Sequence, residues 1–220
     1  EISWGCKVGI QAIVLRAPQR MGNRQVPDIL RQHSAWLLHW LAALEEVRIQ
    51  TRRKYITGER FPYLGKTYSL NVIHRMGMRE PDVVLKRGRI CVQTNANAHD
   101  GALSHAISQA LLRWYQARAS VYLMRRTERL SEVVGLNPTK VTVSSQLHLW
   151  GSCSAKGSIR LNWRLILAPI PVVDYVIVHE LCHLKVRNHS PAFWMVLLGV
   201  DPRFAKHRKW LKANAWYLRL

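Results

Sequence analysis

Apolar positions along this chain keep two different periods, and the switches between them mark out the elements. Lys7–Arg16 reads as a strand that ends at Ala17-Pro18. From Pro27 to about Lys54 the residues Ile29, Leu30, Trp36, Leu37, Trp40, Leu41, Leu44 and Val47 recur at helical spacing, which predicts one long amphipathic helix. Its basic end, Arg48, Arg52, Arg53 and Lys54, suits the negative end of a helix dipole. Pro62–Val72 reads as a turn leading into a strand. Asp82–Leu85 and Arg89–Gln93, separated by Lys86-Arg87-Gly88, read as a hairpin with glycine in its turn. The first hundred residues thus predict a small antiparallel sheet with one long helix.

Asn95–Asp100 is a polar connection. A second long helix follows from Ala102 to about Val134, carrying Leu103, Ile107, Leu111, Trp114, Tyr115 and Leu123, and Gly135-Leu136-Asn137-Pro138 stops it. Val141–Ser154 and Ser158–Leu165 are β-rich arms flanking the turn Ala155-Lys156-Gly157. The small residues Gly151, Ser152, Cys153 and Ser154 permit close backbone approach, either as a bulge or as a strand edge that an extended peptide can join. Val172–Leu184 predicts an apolar helix. Ser190-Pro191 reads as the N-cap and first residue of a short helix that runs to Leu198 and ends at Gly199, and Asp201-Pro202 restarts another through Trp210 and Leu211. The pattern predicts an α+β fold, an antiparallel sheet with long helices. One domain is expected over 1–220, with an N-terminal lobe of about 1–98 and a C-terminal lobe of about 99–220.

A chain of 220 residues, 48% hydrophobic, can bury a full core. Its longest apolar run, Ala35–Leu44, is interrupted by His39 and falls short of the ~20 residues that cross a bilayer, so no membrane helix is expected. The opening Glu1–Lys7 shows no secretion signal. Cys6, Cys91, Cys153 and Cys182 are scattered without a Cys-x-x-Cys pair, which reads as free thiols in the cytoplasm. Lys and Arg number 33 against 13 Asp and Glu, a formal charge of +20. Such an excess attracts polyanions, so nonspecific contact with nucleic acid is expected. Arg125, Arg126 and Arg129, and Lys206-His207-Arg208-Lys209-Trp210 with Lys212, are the densest runs; runs of this kind are usually solvated helix faces.

The chemistry concentrates in His179-Glu180-Leu181-Cys182-His183. On a helix, His179 and His183 lie one turn apart on one face, so both imidazoles can reach one ion, and Glu180 stands beside that face as a general base. Tetrahedral zinc with an open position needs a third protein ligand. His189, ten residues after His179, is the candidate, with Arg187-Asn188 breaking the chain so that it turns back. Cys182 points off the histidine face and reads as packing. The reading is a zinc hydrolase acting on a peptide or protein. The alternative is a basic nucleic-acid-associated protein with structural zinc, although structural sites tend to use four ligands and three are evident. Tyr175, His207, Arg208 and Tyr217 are candidates by residue type for stabilising an oxyanion.

One ordered set of residues carries a family resemblance: Trp150–Ser154, Gly157, Asn162–Leu165, Ala168-Pro169, Asp174–Val176, His179–Leu184, Asn188–Ser190 and Phe193-Trp194. With it the chain resembles the YgjP-like metallopeptidase-domain family of bacteria, most strongly over Val141–Leu211 and more weakly at Val14–Pro18 and Tyr63–Leu70. The resemblance implies a zincin-like α+β fold with the His-Glu-x-x-His motif on its active-site helix. It further implies zinc on His179, His183 and His189, and Glu180 as general base. More distantly the chain is similar to SprT-like proteases, which act on proteins bound to DNA.

Overall fold

A computed structural model describes residues 3–7, 12–16, 26–35, 37–38, 41, 53–95, 100–146, 149–215 and 217–218. The chain divides into two compact units, Glu1–Arg53 with Ala215–Tyr217, and Lys54–Asn214 with Leu218–Leu220. In the smaller unit β1 (Ser3–Lys7) pairs antiparallel with β2 (Ala12–Arg16), and α1 spans Val26–Gln32. The single strand expected over Lys7–Arg16 is therefore two, with Lys7 opposite Ala12. An apolar run does not show where a chain reverses, and pairing satisfies backbone groups that a lone strand leaves open. The expected helix continues past α1 as helical backbone at 34–35, 37–38 and 41; Trp36, Trp40, Leu44, Val47, Arg48 and Arg52 lie outside the described residues. It does not reach Arg53 and Lys54, which are not helical. There the Glu59 carboxylate accepts the backbone N–H groups of Lys54 (3.1 Å) and Tyr55 (2.6 Å), fixing a turn.

The larger unit opens with a four-stranded sheet ordered β3-β4-β6-β5, built from Arg60–Tyr63, Lys66–Arg75, Asp82–Lys86 (β5) and Arg89–Asn95 (β6). Both hairpins turn on two residues with positive φ, Leu64 (48°) with Gly65 (79°) and Arg87 (51°) with Gly88 (73°), the geometry that matches strand twist. The sheet expected to be antiparallel is mixed, because β4 and β6 run parallel from Ser69↔Arg89 to Arg75↔Asn95. The connection after Arg75 carries the chain past the neighbouring position, so β5 takes the outer edge and β6 returns between it and β4. Ile90, Val92 and Thr94 alternate inward from β6. Helix α2 (Asp100–Val134) covers the core with Ile107, Leu111, Tyr115 and Leu123, all 0–1% exposed, and the Tyr115 hydroxyl donates to the Pro62 carbonyl at 2.8 Å. It ends where expected: Gly135, at φ 72°, and Leu136 both donate backbone N–H to the Ser131 carbonyl.

A three-stranded sheet follows, ordered β7-β9-β8, from Lys140–Ser144 (β7), Gly151–Cys153 (β8) and Ser158–Asn162 (β9). The arm read as continuous from Val141 to Ser154 is thus split across the two sides of β9, parallel to it in β7 and antiparallel in β8. Asn162 holds the intervening loop, its side-chain amide donating to the carbonyls of Gln146 and Leu149. The same side chain accepts from the Arg164 N–H and turns the chain into a 3-10 helix, Trp163–Leu167, so the β-rich arm that the pattern predicts to Leu165 stops at Asn162. Three helices complete the unit: α3 (Ile170–Cys182), α4 (Pro191–Val200) and α5 (Phe204–Asn214). Ser190 and Pro191 are the N-cap and first residue of α4 as read. Gly199 does not end that helix; the last turn closes when the Asp201 N–H bonds to the Leu197 carbonyl at 2.8 Å. Among the described residues no helix is long and apolar enough to cross a membrane.

Candidate metal centre

Helix α3 is apolar nearly all round, with Val172, Val173, Val176, Ile177, Val178 and Leu181 at most 4% exposed, so its polar residues are placed by the core rather than by solvent. Arg126 of α2 clamps it one turn below the motif, with two 2.6 Å hydrogen bonds from Nε and Nη2 to the Asp174 carboxylate. His179 occupies the last turn, His183 is the C-cap, and the chain loops back so that His189 stands just before α4. One nitrogen from each ring lies within 4.8 Å of the others. Among the described residues this is the group of histidine, cysteine and carboxylate side chains close enough to share an ion.

Each ring is held by a different device. Phe193 packs on all three, with ring centroids 4.8 Å from His179, 4.5 Å from His183 and 4.9 Å from His189. His183 Nδ1 lies 3.0 Å from the Val186 carbonyl, which makes that nitrogen the N–H donor and leaves Nε2 with its lone pair free. Trp194 stacks on His189 at 5.5 Å and donates its indole N–H to the His189 carbonyl at 3.0 Å. The returning loop is tied to the β8–β9 turn by Arg187, which donates to the carbonyls of Ser154 (2.6 Å) and Ala155 (3.1 Å).

The donor set fits a metal ion. Burial, then the neighbouring His183, His189 and Arg208, lowers the His179 pKa to about 3, so the ring is neutral and carries a lone pair. Its Nε2 is 3.0 Å from His189 Nε2, and its Nδ1 is buried without a hydrogen-bond partner. Three imidazole nitrogens within 4.8 Å of one another are the ligand chemistry zinc accepts.

Glu180, 6% exposed, stands beside the triad without belonging to it. Burial raises its pKa from the ordinary 4.5 to about 7. The carboxylate occupies the space a side chain at Gly151 would need: a Cβ there would meet Glu180 Oε1 at 2.5 Å and Cγ at 2.6 Å. Gly151 thus works as a seat for the carboxylate on strand β8. Cys182 is fully buried, its thiol pushed up to about 11, and takes no part in the triad.

The four residues considered for an oxyanion separate. Tyr175, one turn before His179, is buried with its ring 5.8 Å from that histidine; burial raises its phenol while Arg208 opposes the rise. His207 is bonded through Nδ1 to Asp201 at 3.0 Å. Arg208 lies 4.9 Å over the Trp194 ring, and its charge reaches both His179 and Tyr175. Tyr217 falls in the smaller unit. The sequence reading took Arg187 only as part of a chain break; its tie to the β8–β9 turn, and that of the Val186 carbonyl to His183, escaped it, since contacts made through the returning loop leave no local signal.

A family model described as "YgjP-like, metallopeptidase domain" matches residues 6–214. The UTP pyrophosphatase of Escherichia coli (strain K12) is 26% identical over 132 residues, which cover 57% of this chain and 77% of that protein. Two crystal structures of metallopeptidase zymogens are also similar. Pyrococcus abyssi abylysin shares 22% identity with a TM-score of 0.39, over 42% of this chain and 93% of its own. Methanocaldococcus jannaschii jannalysin shares 18% with a TM-score of 0.38, over 42% and 95%.

Proposed function

This chain belongs to the YgjP-like metallopeptidase-domain family, and from that premise we propose that it is a zinc-dependent peptidase of zincin-like fold, with His179, His183 and His189 as ligands and Glu180 as general base. The observation that carries the reading is the division between three clustered imidazole nitrogens and a buried carboxylate one residue along that stays out of the cluster. Zinc would supply Lewis acidity there, polarising the scissile carbonyl and lowering the pKa of a water toward ~7. Glu180 takes the proton from the attacking water. Burial lifts the carboxyl of the metal-free protein to about 7, and the charge of a bound dication would favour its ionised form, which accepts that proton and returns it to the leaving amine. Gly151 keeps Glu180 in place, and Arg208 with Tyr175 supplies positive charge and a hydroxyl on the His179 side. Strand β8 is the edge of its sheet beside Glu180, so an extended peptide can pair with it through main-chain hydrogen bonds. The free thiols Cys91, Cys153 and Cys182 support a reducing, cytoplasmic setting.

A second reading is hydrolysis of a nucleoside triphosphate at the same centre. It is favoured by the name of the Escherichia coli relative and by the cationic Arg208 beside the triad. One experiment tests both: bound metal is measured on the purified protein, which is then given casein or UTP with and without a chelator. Casein cleavage that disappears with the chelator and returns with zinc is the expected result. Release of pyrophosphate from UTP with casein left intact replaces the first reading by the second.

A further inference from the structure

Helix α2 carries a second cluster that the metal centre does not use. Trp114, Arg118, Tyr122, Arg125 and Arg129 recur every three or four residues and so form one stripe. With Tyr63 from β3 they border a cavity of about 590 Å³, within the size range that holds organic ligands. Rings and guanidinium groups alternate along its wall, Tyr63 standing beside Trp114 and Tyr122 lying between Arg118 and Arg125. Tyr63 lies 5.4 Å from the Trp114 ring, and the Arg118 guanidinium 5.6 Å from the same ring, a planar surface added to the aromatic ones. Arg126 also lines the cavity, but its charge is met by Asp174. Arg118, Arg125 and Arg129 are exposed, and among the described residues none of the three is paired with a carboxylate.

We propose that this groove binds a single-stranded segment of nucleic acid, with bases against Tyr63, Trp114 and Tyr122 and phosphates along Arg118, Arg125 and Arg129. Aromatic platforms interleaved with cations are what an unpaired strand requires, because every base has a π face and every linkage a charge. An acidic peptide would satisfy the arginines but leave the rings without planar partners. From Arg118 to Arg129 the helix rises about 16 Å, room for more than one phosphate. The chain's formal charge of +20 raises the local concentration of such a strand.

The test uses the full metal-loaded chain and the fluorescence anisotropy of a labelled oligothymidylate twelve nucleotides long. The double variant Arg125→Ala/Arg129→Ala should weaken binding at low salt at least tenfold. It should also reduce the magnitude of the slope of log affinity against log salt by about 1.4, roughly 0.7 per phosphate released. Lys209→Ala/Lys212→Ala, which removes the same charge from exposed positions on α5, should change neither. Metal content equal to the parent's in both variants shows that the fold is kept. Inorganic polyphosphate of matched charge, lacking bases, should compete about tenfold less well than unlabelled oligomer. Equal losses in the two double variants, equal competition by polyphosphate, or UTP binding as tightly as the oligomer would each overturn the proposal.

Discussion

The candidate metal centre and the arginine groove lie in the same compact unit and handle polar groups in opposite ways. At the metal centre each functional group is locked by something that is not itself reactive: Phe193 against three rings, a carbonyl on His183, an indole on His189, a glycine under Glu180. Burial there moves protonation far from ordinary values, His179 down to about 3 and Glu180 up to about 7. In the groove the guanidinium groups of Arg118, Arg125 and Arg129 stand in water on one helix face. Chemistry on a bound substrate needs fixed geometry and tuned acids, whereas capture of a polyanion needs unpaired charge at low conformational cost.

The largest effect that would break this contrast concerns the third histidine. His189→Ala should abolish tight zinc binding and all hydrolysis while far-UV circular dichroism stays near the parent's, since His189 is exposed and its neighbour Phe193 remains. A full equivalent of tightly held zinc in that variant means that another residue completes the site. Next comes the seat of the carboxylate. Gly151→Ala forces Glu180 aside, so the turnover number should fall about a hundredfold with zinc content kept; an unchanged rate would show that the apposition of Gly151 and Glu180 has no bearing on the reaction.

The two pKa displacements give a stability prediction for the chelated protein. Glu180, raised from 4.5 to about 7, favours folding when protonated; that contribution, at most roughly 3 kcal/mol, is whole below pH 4.5 and lost as pH rises through 7. His179, lowered from 6.5 to about 3, has the opposite sign, and its contribution is whole above pH 6.5 and lost on acidification. Between pH 4.5 and 6.5 the slopes oppose each other in the parent. Urea unfolding of metal-free Glu180→Gln should therefore show stability falling as pH drops below 6.5, and its advantage over the parent should grow from pH 4.5 to 7. Parallel curves for the two proteins would show that Glu180 is not desolvated as described.

The smallest effects come from the groove and distinguish two adjacent arginines. Arg126→Ala breaks the bidentate pair with Asp174 and should cost about 1.5–3 kcal/mol in urea unfolding. Arg125→Ala should stay within about 0.5 kcal/mol. Equal losses would mean that the groove arginines are structural after all.

What the sequence made legible follows the same line. The gathering of His179, His183 and His189, with Glu180 next along the helix, could be read because their relation is local: one helical turn, then a short return loop. The end of α2 at Gly135 was legible for the same reason, a backbone conformation that glycine adopts without cost. The parallel pairing of β4 with β6, and the placing of β7 and β8 on opposite sides of β9, were hidden because crossovers depend on where the chain travels between strands. Gly151 could be marked as a close approach but not given its neighbour, since Glu180 reaches it only through the packing of α3 on β8. Arg125, Arg126 and Arg129 were visible as a charge run. Nothing local showed that Asp174 would bind one of them and leave the others exposed along the groove.

The most direct test of the central claim is the hydrolysis rate of Glu180→Gln measured beside its zinc content. Glutamine keeps the shape against Gly151 but cannot take a proton at neutral pH. One equivalent of zinc should remain bound while peptide cleavage falls ~10²- to 10⁴-fold. Cleavage at the parent's rate, or loss of the metal with the substitution, would contradict the role of Glu180 as the base beside the ion.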